Sequence, residues 1–393
     1  MNIQDFMARH GALPEQIPAR SCLNQLLERM DAGLRGEGNI PMLPSFLSGQ
    51  IRVEPGMKCC VLDAGGTNLR TATAEFDGYG NCRLENLTVR PMPGTRGELG
   101  ADALYDTIAA PVRALGEFSR VGFCFSYNVT MDRNLDGVLD FWCKEVRAPE
   151  AVGKPVGASL RRALGGCARV HVLNDSVAAM LGAGDVQVGV ILGTGVNVCY
   201  LERCDKIPKV PRDLKSDTMI ISTEIGEFDA IPKSDFENAV IAATDAPASA
   251  HAEKQCSGGY LGDVIRAAWM AAEAEGVLAP SDWDTGWGLA EISRMLTEGT
   301  GSVAAEIAAL AIARAAKIGA IVCAGPILRA VEPGSTVRVA VEGSQYWKLT
   351  GFREVFTREL DALLAPEGVG YRIVKSDNAC LIGAARAAFA EPM

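Results

Sequence analysis

Two glycine turns and one polar strand end carry residue types suited to moving a phosphoryl group. In the first turn, DAGGTNLR (Asp63 to Arg70), Gly65 and Gly66 allow a tight reversal whose backbone N–H groups can meet phosphate oxygens. Thr67 and Asn68 add polar side chains and Arg70 adds a positive charge. Asp63, at the end of an apolar run, can hold Mg²⁺ through water. For a lone GGT the competing reading is an ordinary hairpin turn. The second turn, Gly193-Thr194-Gly195, offers the same kind of donors, and Asn197 follows two residues later. Neither turn matches GxxxxGK[ST], and no GxGxxG opens a helix after a strand, which excludes the P-loop and dinucleotide-binding classes. A nucleotide held between two hairpins remains.

The third element is VHVLNDSVAAM, an apolar strand running into Asn174-Asp175 and then a helix. Transfer to an alcohol needs a carboxylate that accepts the hydroxyl proton. Asp175, at the C-terminal end of a strand in an α/β chain, stands where ligands are met. An aspartate is also a favoured helix cap, and that reading stays open here. His171, inside the apolar strand, reads as a core histidine. Glu224 and Glu253 read by themselves as solvated carboxylates.

The elements that must position these residues follow from periodicity. CCVLD and LRTATAEF flank the first turn as a β-hairpin, and Val188 to Leu192 with VNVCYLE repeats the layout about 130 residues later, which hints at a duplicated architecture. Between them lie a helix over Asp102 to Leu115 and strands over Val121 to Phe125 and Val170 to Leu173. Before them, helical spacing (Leu23, Leu26, Leu27, Met30) gives way to GEGNIPMLPSFLSGQ, predicted to run extended over a surface. After Glu224 the chain turns helical, over Gly259 to Ala274, Gly288 to Leu296 and Val303 to Cys323. A final strand, Val337 to Val341, precedes EGS, and one more helix begins near Leu381. Strands alternating with helices predict an α/β fold.

At 393 residues the chain calls for two domains, and with no low-complexity linker the boundary must be crossed by ordered chain, which favours a hinged cleft. A net charge of −10, with no basic run longer than Arg161-Arg162, argues against nucleic acid as a partner. Twelve cysteines without a CxxC pair and only three histidines fit neither a zinc site nor a disulfide framework, so no protein metal site is predicted and free thiols in a cytoplasmic protein are expected. The N-terminal MNIQDFMARHGALPE lacks the pattern of a secretory signal. Val303 to Cys323, interrupted by Glu306, Arg314 and Lys317, reads as a buried helix and not a membrane span. No membrane partner is expected, and the oligomeric state is left open.

Taken in order, the motifs resemble those of the hexokinase family, which includes glucokinase. MLPSF is similar to the stretch before the family's first phosphate loop, and DAGGTNLR resembles its LDLGGTN motif. FCFSYN and FWCKEVRA resemble the SFP and WTKGFKA sugar segments. LNDSVA and ILGTGVNVCYLE resemble the connecting and second phosphate motifs. STEIGEF, AEKQCSGGYLGD and VAVEGSQYWK, the last with Gly343 and Ser344, resemble the later glutamate and adenosine segments. The matches cover the chain from about Met42 to Gly383.

The resemblance implies an actin-like fold of two ribonuclease H-like α/β domains around a cleft. Residues 57–173 with about 380–393 would form the small domain, and 1–56 with 174–379 the large one. It also implies transfer of the γ-phosphate of MgATP to the 6-hydroxyl of a hexose, glucose first, with Asp175 as base. Ser126, Cys143, Lys144, Asn174, Asn197, Glu224 and Glu253 would line the sugar. The chain departs from the family pattern at Cys143 (usually threonine), Glu145 (usually glycine) and Tyr127-Asn128 (usually Phe-Pro), and SDNACLIGAA lacks the usual glycine-rich sequence. These departures leave mannose, fructose or glucosamine open as the sugar. A non-catalytic sugar-responsive regulator and an ATPase of the actin or chaperone class are the other readings. The first would be expected to lose the base or add a DNA-binding segment, and the second has no use for LNDS and WCKEVRA.

Overall fold

A computed structural model of the chain describes residues 2–142 and 146–393. Helices α1 (Ile3–Arg9) and α2 (Ala19–Leu34) open it. The turn-rich piece after them does not run over the surface as its composition predicts. Leu43–Pro44 forms strand β1, paired with Ser222 and Ile221 of a later strand, and Ile40, Met42 and Leu47 are buried. Its apolar residues find a sheet edge that local composition cannot announce.

The first glycine turn joins β2 (Lys58–Ala64) to β3 (Asn68–Phe76), with Asp63 opposite Arg70 and Ala64 opposite Leu69. Strand β4 (Cys82–Pro91) extends the hairpin antiparallel. After α3 (Ala101–Leu115), β5 (Arg120–Phe125) adds parallel to β2. A two-stranded ribbon, β6 (Asn128–Met131) and β7 (Gly137–Phe141), and then α4 (Val156–Ala163) lead to β8 (Arg169–Leu173), parallel to β5. The sheet order is β4-β3-β2-β5-β8.

Helix α5 (Asp175–Gly182) leaves this sheet, and the second glycine turn joins β9 (Val188–Leu192) to β10 (Val196–Arg203), followed by β11 (Thr218–Ser222). Five helices come next: α6 (Asp235–Ala242), α7 (His251–Cys256), α8 (Gly258–Ala274), α9 (Leu289–Glu298) and α10 (Val303–Ala330). Then β12 (Thr336–Glu342), α11 (Ser344–Lys348), α12 (Phe352–Leu364), β13 (Gly370–Val374) and α13 (Ala379–Ala387) complete the chain. The second sheet runs β1-β11-β10-β9-β12-β13. Leaving out β1, both sheets share one plan: three antiparallel strands, with two parallel strands added beside the first. The duplication hinted at by the two glycine turns extends to whole sheets. The strand expected to be last, β12, is followed by β13, a half-exposed edge strand whose short GYRIV run carries little apolar signal.

The two sheets meet through α5 and α13. α13 lies on β2, β5 and β8, while α5 lies on β9, β10 and β12. Glycines allow that approach: a Cβ on Gly182 would stand 1.9 Å from the Ala379 carbonyl oxygen, and one on Gly383 1.9 Å from that of Ala178. No side chain fits there, so backbone meets backbone and Asp175, the first residue of α5, is fixed at the seam between the sheets. Helix α10 runs through the core of the second sheet's side. It is long and apolar enough to cross a membrane by composition, yet most of it is buried inside the protein. It continues past Cys323, through Gly325 and Pro326, because packing against Leu26 and Met30 of α2 outweighs the local helix-breaking signal.

Candidate active site

Strand β8 delivers Asn174 and Asp175 to the seam. Asn174 is the N-cap of α5, its Oδ1 accepting the Ser176 N–H and the Ser176 hydroxyl, each at 2.8 Å. The capping role that competed for Asp175 therefore belongs to its neighbour. Asp175 is half-buried, and its Oδ1 accepts the Ser176 N–H at 2.8 Å.

Beside it a polar network links three strands. Asn197 Nδ2 donates to Glu224 Oε1 at 2.7 Å and to Ser222 Oγ at 3.0 Å, and reaches Asn174 Oδ1 at 3.4 Å. The Ser222 hydroxyl donates to Glu224 Oε1 at 2.9 Å, and the Glu224 N–H donates to Asn197 Oδ1 at 3.1 Å. Glu224 holds a left-handed backbone, φ 54°, which is uncommon outside glycine and persists only where surroundings enforce it. Burial pushes its carboxyl up to about 7, opposed by the Ser222 and Asn197 hydrogen bonds and reinforced by the negative charges of Asp175 and Glu253. It is no solvated surface carboxylate. Neither is Glu253, whose Oε2 accepts the Val196 N–H at 3.0 Å.

Of these groups Asn174, Ser222 and Glu224 line a pocket between the two sheets. Its walls are Pro44, Ser222 and Glu224 on one side and Phe125, Tyr127 and Val129 on the other, with Asn174 between them. Ser126 is buried in the same stretch, its N–H bonded to Ala64 O at 3.1 Å. Cys143, Lys144 and Glu145 lie outside the described residues.

In the first turn, the Gly65 N–H closes on Asn68 O at 3.0 Å, and Thr67 and Asn68 stand exposed at the tip. Arg70 is not a free charge aimed at phosphate, as its place in the motif predicts: its Nε donates to Asp63 Oδ2 at 2.8 Å, and a second guanidinium nitrogen meets the same oxygen. Burial raises the Asp63 carboxyl, Arg70 counters it, and repulsion from Asp175 adds to the rise. Directly opposite positions on a tight hairpin bring the two together, an outcome the pairing of strands could have signalled.

The second turn is clamped from behind. Gly258 and Gly259, at the start of α8, donate their N–H groups to Gly193 O at 2.8 Å and Thr194 O at 2.9 Å. A Cβ on Gly259 would stand 2.6 Å from Thr194 O, and one on Gly195 2.7 Å from Glu253 Oε2. Gly343, at φ 119°, leans on the same turn, where a Cβ would approach Leu192 O to 2.1 Å, and Ser344 beside it is exposed. The segment assigned to adenosine and the second phosphate turn thus adjoin.

This donor set fits a magnesium nucleotide: backbone N–H groups at two turns and a buried carboxylate near them. Among the described residues no three His, Cys, Asp or Glu converge as a metal site. Mg²⁺ usually keeps waters and uses one or two carboxylates with substrate phosphates, a role Asp63 suits. His171 is a core histidine, Nδ1 bonded to Ala387 O at 2.7 Å and lowered in pKa by burial. Sequence reasoning missed Ser222 as a member of the network. The signal available was its spacing, two residues before Glu224 at a strand end.

Two family models, both described as hexokinase, match residues 12–184 and residues 187–295 together with 289–390. Hexokinase-1 of Schizosaccharomyces pombe is 31% identical over 269 residues, which is 61% of this chain and 54% of that protein. A hexokinase-like 1 protein of Arabidopsis thaliana is 34% identical over 272 residues, 63% of this chain and 55% of that protein. The matched stretch thus spans about half the length of these curated relatives. A hexokinase from Schistosoma mansoni, solved in complex with glucose, superposes with a TM-score of 0.83 over 99% of this chain and 100% of that one, at 21% identity. At that identity the likeness shows the fold, which is the two-domain actin-like α/β fold that the motifs imply. With the family models spanning nearly the whole chain, the protein belongs to the hexokinase family.

Proposed function

We propose that the protein is an ATP-dependent hexose kinase that transfers the γ-phosphate of MgATP to the 6-hydroxyl of a hexose, glucose being the first choice. One observation carries this reading. Asp63, Cys124 and Leu173 stand side by side across β2, β5 and β8, so Asp175, two residues past Leu173, emerges at the same sheet end as the first phosphate turn and next to Asn174, which lines the pocket with Glu224. A carboxylate between a phosphate site and an alcohol site is where a general base must stand.

In this reading Asp175 accepts the proton of the attacking hydroxyl. Asn174, Asn197, Glu224 and Glu253 bind and orient the sugar, whose several hydroxyls each need a donor and an acceptor. Ser126, Cys143 and Lys144 belong to the same sugar shell. Backbone N–H groups of both turns hold the phosphates, with Thr67, Asn68 and Thr194 beside them, and Gly343 and Ser344 meet the adenosine side. Asp63 would hold Mg²⁺ through water, and the ion would supply neutralisation of charge on the phosphates. Closing the pocket excludes water, which competes with the sugar for the phosphoryl group. Glucose is favoured because the Schistosoma mansoni hexokinase was solved with it. Eleven described cysteines are free thiols, which suits a reducing cytoplasm.

The test is coupled ADP release with MgATP and a panel of glucose, mannose, fructose, glucosamine and N-acetylhexosamines. Sugar-dependent release with at least one hexose is expected. ATP hydrolysis indifferent to sugar, or no release with any sugar, removes the kinase reading.

A further inference from the structure

The pocket wall contains a hydroxyl that the family's usual phenylalanine would not supply. Tyr127 is buried, its ring edge-on to Trp142 with centroids 4.9 Å apart, and its hydroxyl donates to the carbonyl oxygen of Gly65 at 2.8 Å. That carbonyl belongs to the first phosphate turn. Its peptide joins two glycines, and such a peptide flips at little steric cost because neither neighbour has a Cβ. The peptide is trans, as are all peptides among the described residues. In a planar trans peptide the C=O and the following N–H point in opposite directions. A hydroxyl that fixes the Gly65 carbonyl therefore also fixes the Gly66 N–H, aiming it away from Tyr127. Among the described residues no protein backbone acceptor meets that N–H. Apart from the Tyr127 hydroxyl, the bond of Gly65 among the described residues is the one within its own turn, from its N–H to Asn68 O.

We propose that Tyr127 is a positioning residue for the nucleotide phosphates, its hydroxyl holding the Gly65–Gly66 peptide in the orientation that presents the Gly66 N–H to a phosphate oxygen. The inference rests on the kinase reading above and deepens it. Tyr127 touches the sugar side through its ring and the phosphate side through its hydroxyl, so the two roles can be separated by substitution. Tyr127→Phe keeps the ring against Trp142 and Phe125 and removes only the hydroxyl. Losing one hydrogen bond frees the peptide to flip, which should weaken phosphate binding about two- to tenfold.

The experiment measures three constants for wild type and Tyr127→Phe: the KM for MgATP, the calorimetric Kd for a non-hydrolysable ATP analogue with Mg²⁺, and the Kd for glucose without nucleotide. The expected result is a rise in both nucleotide constants by about two- to tenfold, with the glucose constant changed by less than about twofold. Tyr127→Leu, which removes ring and hydroxyl together, should weaken glucose as well. An unchanged analogue Kd in Tyr127→Phe overturns the proposal, as does a shift confined to glucose, which would make Tyr127 a pocket wall only. A wild type that binds no analogue removes the kinase reading and this one together. A wild type that binds it no better than Tyr127→Phe removes this one alone.

Discussion

The two glycine turns grow from the same strand–turn–strand plan, yet they are held in opposite ways. The first, on the smaller sheet, ends in exposed Thr67 and Asn68 and is steadied by the Tyr127 hydroxyl, by the Met92 N–H on Thr67 O at 2.9 Å and by the Asp63–Arg70 ion pair. The second, on the larger sheet, is backed by the N-terminus of α8, by the Glu253 carboxylate and by the Gly343 backbone. Duplication copied the topology and left the surroundings to differ. A turn with few fixings can adjust as a substrate arrives, whereas one built into backbone contacts can only be right or wrong from the start.

The largest effect should come from Asp175, at the seam between the two sheets. If the turns bind phosphate and Asp175 does the chemistry, Asp175→Ala should lower kcat by at least about 10²-fold while leaving glucose affinity within about tenfold. Turnover and equilibrium binding, measured on the same preparation, check this. A variant that keeps most of its turnover would show that another carboxylate takes the proton, and Asp175 would be only a helix-start residue.

The unequal fixing of the turns is tested by adding one methyl to each. In Gly259→Ala the new Cβ would stand 2.6 Å from Thr194 O, a backbone atom that cannot swing aside. Overpacking of this kind costs about 1–3 kcal/mol, and the displaced turn should also raise the KM for MgATP. In Gly65→Ala the nearest atom is Asn68 O at 3.5 Å, an ordinary contact, and stability should change by no more than about 0.5 kcal/mol. Denaturant unfolding of both variants gives the comparison. Equal destabilisation would mean that the first turn is as tightly built as the second.

How much of this was legible follows from the same contrast. Short-range signals were sufficient for the hairpins, because CCVLD-AGGTN-LRTATAEF states its strands and its turn within a few residues of each other. They were also sufficient for α3, α8 and the start of α10, where apolar spacing is strong. The role of MLPSF was not legible: β1 exists only because β11, some 175 residues later, offers an edge. Likewise Arg70 looks like a phosphate ligand until the register sets it opposite Asp63. Asn174 and Asp175 are adjacent candidates for one cap, and only the folded backbone decides between them. At the site, motif resemblance supplied residue identities, while the long-range Asn197–Ser222–Glu224 bonds could be seen only in three dimensions.

The larger sheet's side of the cleft also holds a titrating group. The Glu224 carboxyl keeps its proton up to about 7 in the folded protein, whereas an unfolded glutamate loses it near about 4.3. Between those values the folded state binds the extra proton, so stability is present below the unfolded value and falls as pH rises through the window. Glu224→Gln has no such proton and lacks that slope. From about pH 5 to about pH 8 the variant should gain stability relative to wild type, by on the order of 1 kcal/mol. Unfolding curves taken across that range decide it, and parallel pH profiles for the two proteins would mean that Glu224 is ionised throughout.

The smallest effect concerns FWCKEVRA, which resembles the family's sugar segment and whose Trp142 packs beside Tyr127. Cys143 stands where the family usually has threonine. A threonine hydroxyl donates and accepts well, whereas a thiol does both weakly, so a sugar hydroxyl facing this position should be held less firmly than in a typical relative. The missing bond is worth about 0.5–1.5 kcal/mol, or roughly two- to tenfold in affinity. Cys143→Thr should therefore lower the KM for glucose by about that factor and leave kcat nearly unchanged, the mark of a contact made equally in ground and transition states. Steady-state kinetics with glucose and with mannose, fructose and glucosamine give the answer. No change with any sugar would turn Cys143 away from the pocket. A rise in the glucose KM, in a protein whose wild type already prefers another sugar, would mean that the cysteine is fitted to that sugar and that glucose is the wrong first choice.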